Sequence, residues 1–166
     1  MNISFSATTE QVRQHRKHCT RRIDKSLRLA KKKPGDILQG IERGQGIKKG
    51  EHVVKLDKIV ILEVNREPLD EIIRRPIREI PQSIRLKHAA TIYLTETILE
   101  GFPELTPIQF VETFCNINKK CTPDTEITRV LFDYCDPIDP DIMDQIQRGK
   151  TAKSRPFEDV AKELGI

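Results

Sequence analysis

The sequence contains no tryptophan and only two tyrosines and six phenylalanines among its 166 residues. Because aromatic side chains are scarce, we expect a mainly aliphatic core built from isoleucine, leucine and valine. No apolar run reaches the ~18 residues that a membrane-spanning helix requires, and the amino terminus lacks the basic-then-apolar pattern of a secretory signal. The sequence therefore predicts a cytoplasmic protein that has no membrane partner.

Motifs for metals and phosphate-bearing cofactors are also lacking. The chain has four cysteines, and a cytoplasmic setting predicts that their thiols are reduced. Cys115 and Cys121 are separated by five residues, a spacing that matches no common zinc signature. Gly44, Gly46 and Gly50 follow neither the order of a P-loop nor that of a dinucleotide-binding motif. We therefore predict no metal and no organic cofactor.

Positive charge is concentrated in one part of the chain. The formal net charge is +4, but residues 13–33, hereafter the basic segment, hold ten lysines and arginines against one acid, Asp24. Such a dense positive field attracts polyanions and suggests phosphate binding. The alternative is a solvated basic surface that binds nothing.

Hydrophobic patterning predicts an α+β chain. Strands are expected at residues 2–7, 36–41, 53–64 and 126–135. Helices are expected after Thr8 or Thr9, over 83–99 and over 106–115, and residues 71–82 are expected to form a loop or a short helix. Because strands stand at both ends of this order, a small closed or nearly closed barrel with inserted helices is favoured over a βαβ sheet.

The character of the sequence changes after Asp136-Pro137. Short helices are expected over 139–148 and 157–164, with a polar stretch between them. We therefore predict a main domain over residues 1–136 and a helical carboxyl-terminal extension over 137–166.

The pattern Lys17-x-x-Thr20-x-Arg22, placed after a strand and a short helix, resembles the signature of ASCH domains, which are relatives of the PUA RNA-binding barrel. Other segments agree with that family in order and spacing: the turn 33–36, the segment 100–106 with the Phe110-Val111 pair after it, and the strand 128–132. Together these segments span residues 2–135. The resemblance implies a PUA-like β-barrel with inserted helices.

The resemblance also implies a site. Bacterial enzymes of that superfamily that deacetylate 4-acetylcytidine use a lysine, a threonine and a glutamate, and the matching positions are Lys17, Thr20 and Glu100. Thr20 would be the nucleophile, Lys17 its base and Glu100 the proton donor or the group that orients the lysine. The positive charges expected to lower the pKa of the lysine, and to contact the ligand, belong to Arg16, Arg21 and Arg22. The chain departs from the family in having His18 after the lysine, a longer segment over 71–99, and the additional tail.

Three functions remain open at this stage. The basic pocket is expected to bind RNA or a modified nucleoside without turnover, with Lys17, Arg21 and Arg22 on the phosphates, Thr20 donating one more hydrogen bond, and Glu100 capping or pairing with an arginine. The first alternative is deacetylation of a 4-acetylcytidine-type nucleoside. The second is RNA cleavage with Lys17, His15 or His18 as acid and base, because the two histidines are three residues apart and would share one side of a helix.

Overall fold

The computed structural model describes residues 1–47, 50–79, 81, 84 and 93–135. Residues Met1–Cys135 belong to one compact unit. The predicted boundary between 136 and 137 and the two helices predicted in the extension lie outside the described residues, so they remain predictions. No helix in the described ranges combines the length and the apolar character needed to cross a membrane.

The centre of the fold is a five-stranded mixed sheet, which confirms the α+β class. The strands are β1 (Asn2–Ser4), β2 (Cys19–Arg22), β3 (Ile37–Ile41), β4 (Lys55–Pro68) and β7 (Glu126–Tyr134). They stand in the order β1-β3-β4-β7-β2, and only the β1–β3 pair is parallel. The long β4–β7 pair forms the middle of the sheet.

The closed barrel predicted from the sequence is not observed in the described part of the chain. The sheet ends at β1 and β2, and no ladder joins these two edge strands. Both strands are short, with three and four residues, so neither offers a long edge for pairing. One side-chain contact bridges them, in which Nη2 of Arg22 donates to the main-chain carbonyl of Ser4. The sheet is therefore open, with its edges linked through an arginine.

A second, two-stranded sheet replaces part of a predicted helix. β5 (Ile77–Glu79) pairs with β6 (Tyr93–Thr95) in antiparallel register. The helix expected over 83–99 is therefore wrong at residues 93–95, and its final turn survives as α3 (Glu96–Leu99). Ladder bonds to β5 satisfy the backbone here, and they outweigh the apolar periodicity of the segment. Residues 85–92 lie outside the described residues.

The other helices agree better with the sequence. They are α1 (Thr9–Arg13), α2 (Glu71–Arg74) and α4 (Pro107–Ile117). Thr106 and Gln109 form a capping box at the start of α4, and proline occupies its first position, as predicted. The strand predicted over 53–64 begins two residues later and ends four residues later, because its ladder with β7 continues to the Pro68–Glu126 pair. The strand β2 was not predicted at all.

The two faces of β7 have different chemistry. Val130, Phe132 and Tyr134 point into the main apolar cluster, which also contains Phe5 and several isoleucines. In an antiparallel pair, residues directly opposite each other share a face. Thr20 faces this cluster because it pairs with Val130, whereas Arg21 pairs with Arg129 on the opposite, charged face. The core is mainly aliphatic, as expected, with aromatic rings on its β7 side.

Candidate functional site

The structure brings together two of the three predicted catalytic residues. Lys17 precedes β2, and Glu100 follows α3, 83 residues later. The ammonium of Lys17 donates to Oε2 of Glu100 at 2.9 Å and also to the main-chain carbonyl of Glu100. Both residues are only 3% exposed. They form a buried ion pair, hereafter the Lys17–Glu100 pair.

Main-chain bonds hold this pair in place. The amide of His18 donates to the carbonyl of Leu99 at 2.8 Å, which fixes the two chain segments side by side. The phenol of Tyr134 donates to the carbonyl of Lys17 at 2.6 Å. The backbone of Gly101 packs closely against both Gln11 and Lys17. Its φ is +87°, and an added Cβ would lie 3.2 Å from Gln11 and 3.4 Å from Lys17. A glycine is needed here because the backbone is left-handed and the space is filled.

Burial shifts both protonation equilibria. Burial lowers the pKa of Lys17, while the adjacent carboxylate of Glu100 opposes that shift. Burial alone would raise the pKa of Glu100, but the charges of Lys17 and Arg21 outweigh it and hold that pKa below its ordinary value. The sequence predicts a lowered pKa for Lys17, caused by neighbouring arginines and by burial. In the structure burial is the largest cause, and Arg22 is the arginine that lowers this pKa further.

Arg21, predicted to bind ligand, is directed into carboxylates. Its side chain is fully buried, and Nη1 donates to Oε1 of Glu100 at 3.0 Å. Nη2 donates to Glu96 at 2.7 Å and to Glu67 at 3.1 Å. In this structure Arg21 organises carboxylates around the Lys17–Glu100 pair rather than facing solvent.

The charged face of β7 continues this network through residues that the sequence reasoning did not identify. Arg129 donates to both oxygens of Glu96, at 3.0 Å from Nε and 2.7 Å from Nη2, and also reaches Glu63 at 3.3 Å. Arg78 lies 3.2 Å from Glu96 and 3.0 Å from Glu67. Two features of the sequence could have indicated these residues: an arginine within an apolar strand and a glutamate within an apolar stripe. A charged side chain at such a position is expected to be buried, and it is buried only when it is paired with an opposite charge.

Thr20, the third predicted catalytic residue, lies on the other face of β2 from Arg21. It is 3% exposed and faces the main apolar cluster. Within the described ranges, its hydroxyl has no hydrogen bond to Lys17 or Glu100. Arg22 lies on the same face of β2, with its guanidinium carbon 6.0 Å from the ring centroid of Phe5.

Arg16 borders a cavity of about 370 Å³ next to the Lys17–Glu100 pair. Leu94, Ile98 and Leu99 supply its apolar wall. Its other lining residues include Gln11, Arg16, His18, Gly101 and Glu104. Neither Lys17 nor Glu100 lines the cavity, but the residues on either side of them in sequence do, so the cavity lies beside the buried pair.

The two histidines do not share one side of a helix. α1 ends at Arg13, and His15 has a φ of 53°. The ring of His15 stacks on Tyr134 with centroids 3.9 Å apart, and its Nε2 lies 2.9 Å from Asp57. The ring nitrogens of His18 lie against the carbonyls of His15 and Phe132. Within the described ranges, no group of three or more histidine, cysteine or acidic side chains is arranged to hold a metal ion.

No protein-family model and no curated protein matches the chain. Among solved structures, the chain is similar to protein EF3133 from Enterococcus faecalis V583, of the family DUF984. The identity is 18% and the TM-score 0.42, over 79% of this chain and 71% of that one. This similarity assigns neither a family nor an activity to the chain.

Acid should weaken the fold through Glu96 and Glu100. Both have pKa values below the ordinary glutamate value of 4.5 despite their burial, because of the neighbouring cations. Their stabilisation is complete above about pH 4.5 and is lost as pH falls through the depressed folded pKa values. In Glu100→Gln, the slope of unfolding free energy against pH below 4.5 should decrease by up to about 1.4 kcal/mol per pH unit. Urea denaturation across this range measures it, with Glu42→Gln as the exposed control; equal slopes in both variants would contradict the prediction.

Proposed function

We propose that the chain is an ASCH-type, PUA-like domain that binds RNA or a modified nucleoside in the cavity beside the Lys17–Glu100 pair. The observation that carries this proposal is the position of that cavity between Arg16 and the glycine turn at Gly101. The open mixed sheet, with Arg22 linking its edge strands, is compatible with a nearly closed barrel of that type.

The cavity has the mixture of surfaces that a nucleobase requires. Its volume of about 370 Å³ lies at the small end of the usual range for ligand pockets. Leu94 and Leu99 offer an apolar wall for the ring face. Gln11 and Glu104 offer hydrogen-bonding groups for the polar edge, and the exposed guanidinium of Arg16 would hold a phosphate.

Titration with a short single-stranded RNA, cytidine and 4-acetylcytidine tests the proposal. Arg16→Ala should weaken RNA binding and reduce the slope of log affinity against log salt by about one. It should affect a free nucleoside much less, because a nucleoside carries no phosphate. Arg66→Ala, at an exposed arginine on β4, is the matched control. No measurable binding, or equal losses in the two variants, would contradict the proposal.

A second candidate is hydrolysis of an N-acetylated nucleoside, and the Lys17–Glu100 contact is the observation that favours it. Thr20 would attack the acetyl carbonyl while Lys17, whose pKa is lowered, accepts the hydroxyl proton. Lys17 would then pass that proton to the leaving amine while Glu100, whose lowered pKa keeps it ionised, orients the lysine, and water would then free acetate from the acylated threonine. This route requires the Thr20 hydroxyl to approach Lys17 once ligand is bound. No comparable observation favours RNA cleavage, because His15 and His18 do not form an acid–base pair on one surface.

A further inference from the structure

Cys115 and Cys121 lie next to each other at the end of α4. Cys115 is in the last turns of this helix, and Cys121 is in the loop that leads to β7. Their sulfur atoms are 3.6 Å apart, with the thiol of Cys115 donating to the sulfur of Cys121. Both side chains are half-buried against the apolar cluster that contains Phe110. By contrast, Cys19 is completely buried, with its sulfur 3.8 Å from both Arg21 and Glu96.

The two sulfur atoms need to move only a short distance to form a disulfide bond. A disulfide has a sulfur–sulfur distance of about 2.05 Å, so the two atoms need to approach by about 1.5 Å. The intervening loop is short and already folded back, because the amide of Cys121 donates to the carbonyl of Asn118 at 3.0 Å. Lys120 completes this turn with a φ of 69°. Small side-chain rotations of the two cysteines therefore provide most of the approach.

We propose that Cys115 and Cys121 form a reversible dithiol–disulfide site that reacts with small-molecule disulfides. This site is separate from the cavity beside the Lys17–Glu100 pair and does not depend on the proposed function.

The geometry assigns different parts to the two thiols. Burial, together with the hydrogen bond to Cys121, raises the pKa of Cys115 to about 11, so this thiol keeps its proton at neutral pH. It donates a hydrogen bond to the sulfur of Cys121, which lies in the loop beyond the helix. Cys121 is thus the attacking sulfur, and Cys115 is the resolving one.

The reaction balances as two exchange steps. The Cys121 thiolate attacks a small disulfide, forms a mixed disulfide and expels one small thiolate. Cys115 then loses its proton and attacks the Cys121 sulfur, which expels the second small thiolate. The two cysteines are oxidised by two electrons, and the small disulfide is reduced to two thiols.

Incubation of the full chain with glutathione disulfide tests the proposal. The intact mass should fall by that of two hydrogens. Trypsin cleaves after Lys119 and Lys120, so the bond would join a peptide ending at Lys119 to the peptide Cys121–Arg129 until a reductant is added. Cys115→Ser should instead accumulate a glutathione adduct on Cys121. Cys135→Ser, at a half-buried cysteine elsewhere, is the control and should cross-link as the unaltered chain does.

Three results would overturn the proposal. The first is a chain that keeps all four thiols under excess glutathione disulfide. The second is a chain that carries only stable mixed adducts without the cross-linked peptide. The third is a cross-linked peptide that persists in Cys115→Ser.

Discussion

Glu96→Gln is expected to lower the free energy of unfolding by about 3–5 kcal/mol, because it removes the carboxylate charge that pairs with three arginines. Glu96 is 0% exposed and lies 2.7 Å from Arg21, 2.7 Å from Arg129 and 3.2 Å from Arg78. The neutral amide also presents an NH₂ group where the carboxylate had an acceptor oxygen. The three guanidinium groups would then share one carboxylate fewer, and the buried nitrogens that donate to Glu96 would lose their acceptors.

Urea denaturation monitored by circular dichroism measures this loss. Glu42→Gln is the matched control, because its carboxylate pairs with Arg13 at 3.3 Å with the Arg13 and Glu42 side chains 49% and 36% exposed. An exposed pair contributes about 0–1 kcal/mol, so the control should remain close to the unaltered chain. A loss below about 1 kcal/mol in Glu96→Gln would contradict the stabilising role that we assign to the network.

Lys17→Met is expected to reduce turnover of 4-acetylcytidine by roughly 10²–10⁴-fold if the chain is an amidohydrolase, which is the usual contribution of a general base. Methionine retains an unbranched side chain but cannot accept the proton of Thr20. The rate of the unaltered enzyme should rise with pH as Lys17 loses its proton, and this limb of the profile should disappear in Lys17→Met. Release of cytidine and acetate measures both effects.

Three further variants of the chain complete this experiment. Thr20→Ala should abolish turnover while 4-acetylcytidine still binds, because only the nucleophile is lost. Glu100→Gln should also lose activity. Lys58→Met, at an exposed lysine on β4, is the matched control and should remain active. If the unaltered, folded protein releases no cytidine, hydrolysis of this substrate is excluded, and the binding proposal stands on its own titration.

Local sequence signals predicted the elements that local interactions stabilise. The Thr106–Gln109 capping box and Pro107 start α4 where the sequence indicates, and the apolar residues of β7 place that strand correctly. The strand β2 was missed because its sequence, Cys19–Arg22, is charged and lacks apolar alternation. Its strand conformation depends on pairing with β7, which is a tertiary contact.

The contact between Lys17 and Glu100 was predictable only through a family resemblance. Nothing in the spacing of Lys17 and Glu100 places them together, and the structure brings them into contact at 2.9 Å. Thr20 was assigned by the same resemblance, and the alternation of β2 turns it toward the apolar cluster. The Glu96–Arg129 interaction required knowledge of which strand faces lie together, which one sequence does not provide.

The burial of Lys17 and Arg21 reduces the positive charge that the basic segment presents to a polyanion in solution. Of the ten cations in the basic segment, these two are 3% exposed and are neutralised by internal carboxylates. Counterion release and diffusional steering depend on charges that reach the solvent. For the RNA partner that we propose, the encounter rate should therefore depend on the exposed cations of the segment, and it should be less sensitive to ionic strength than the sequence alone suggests.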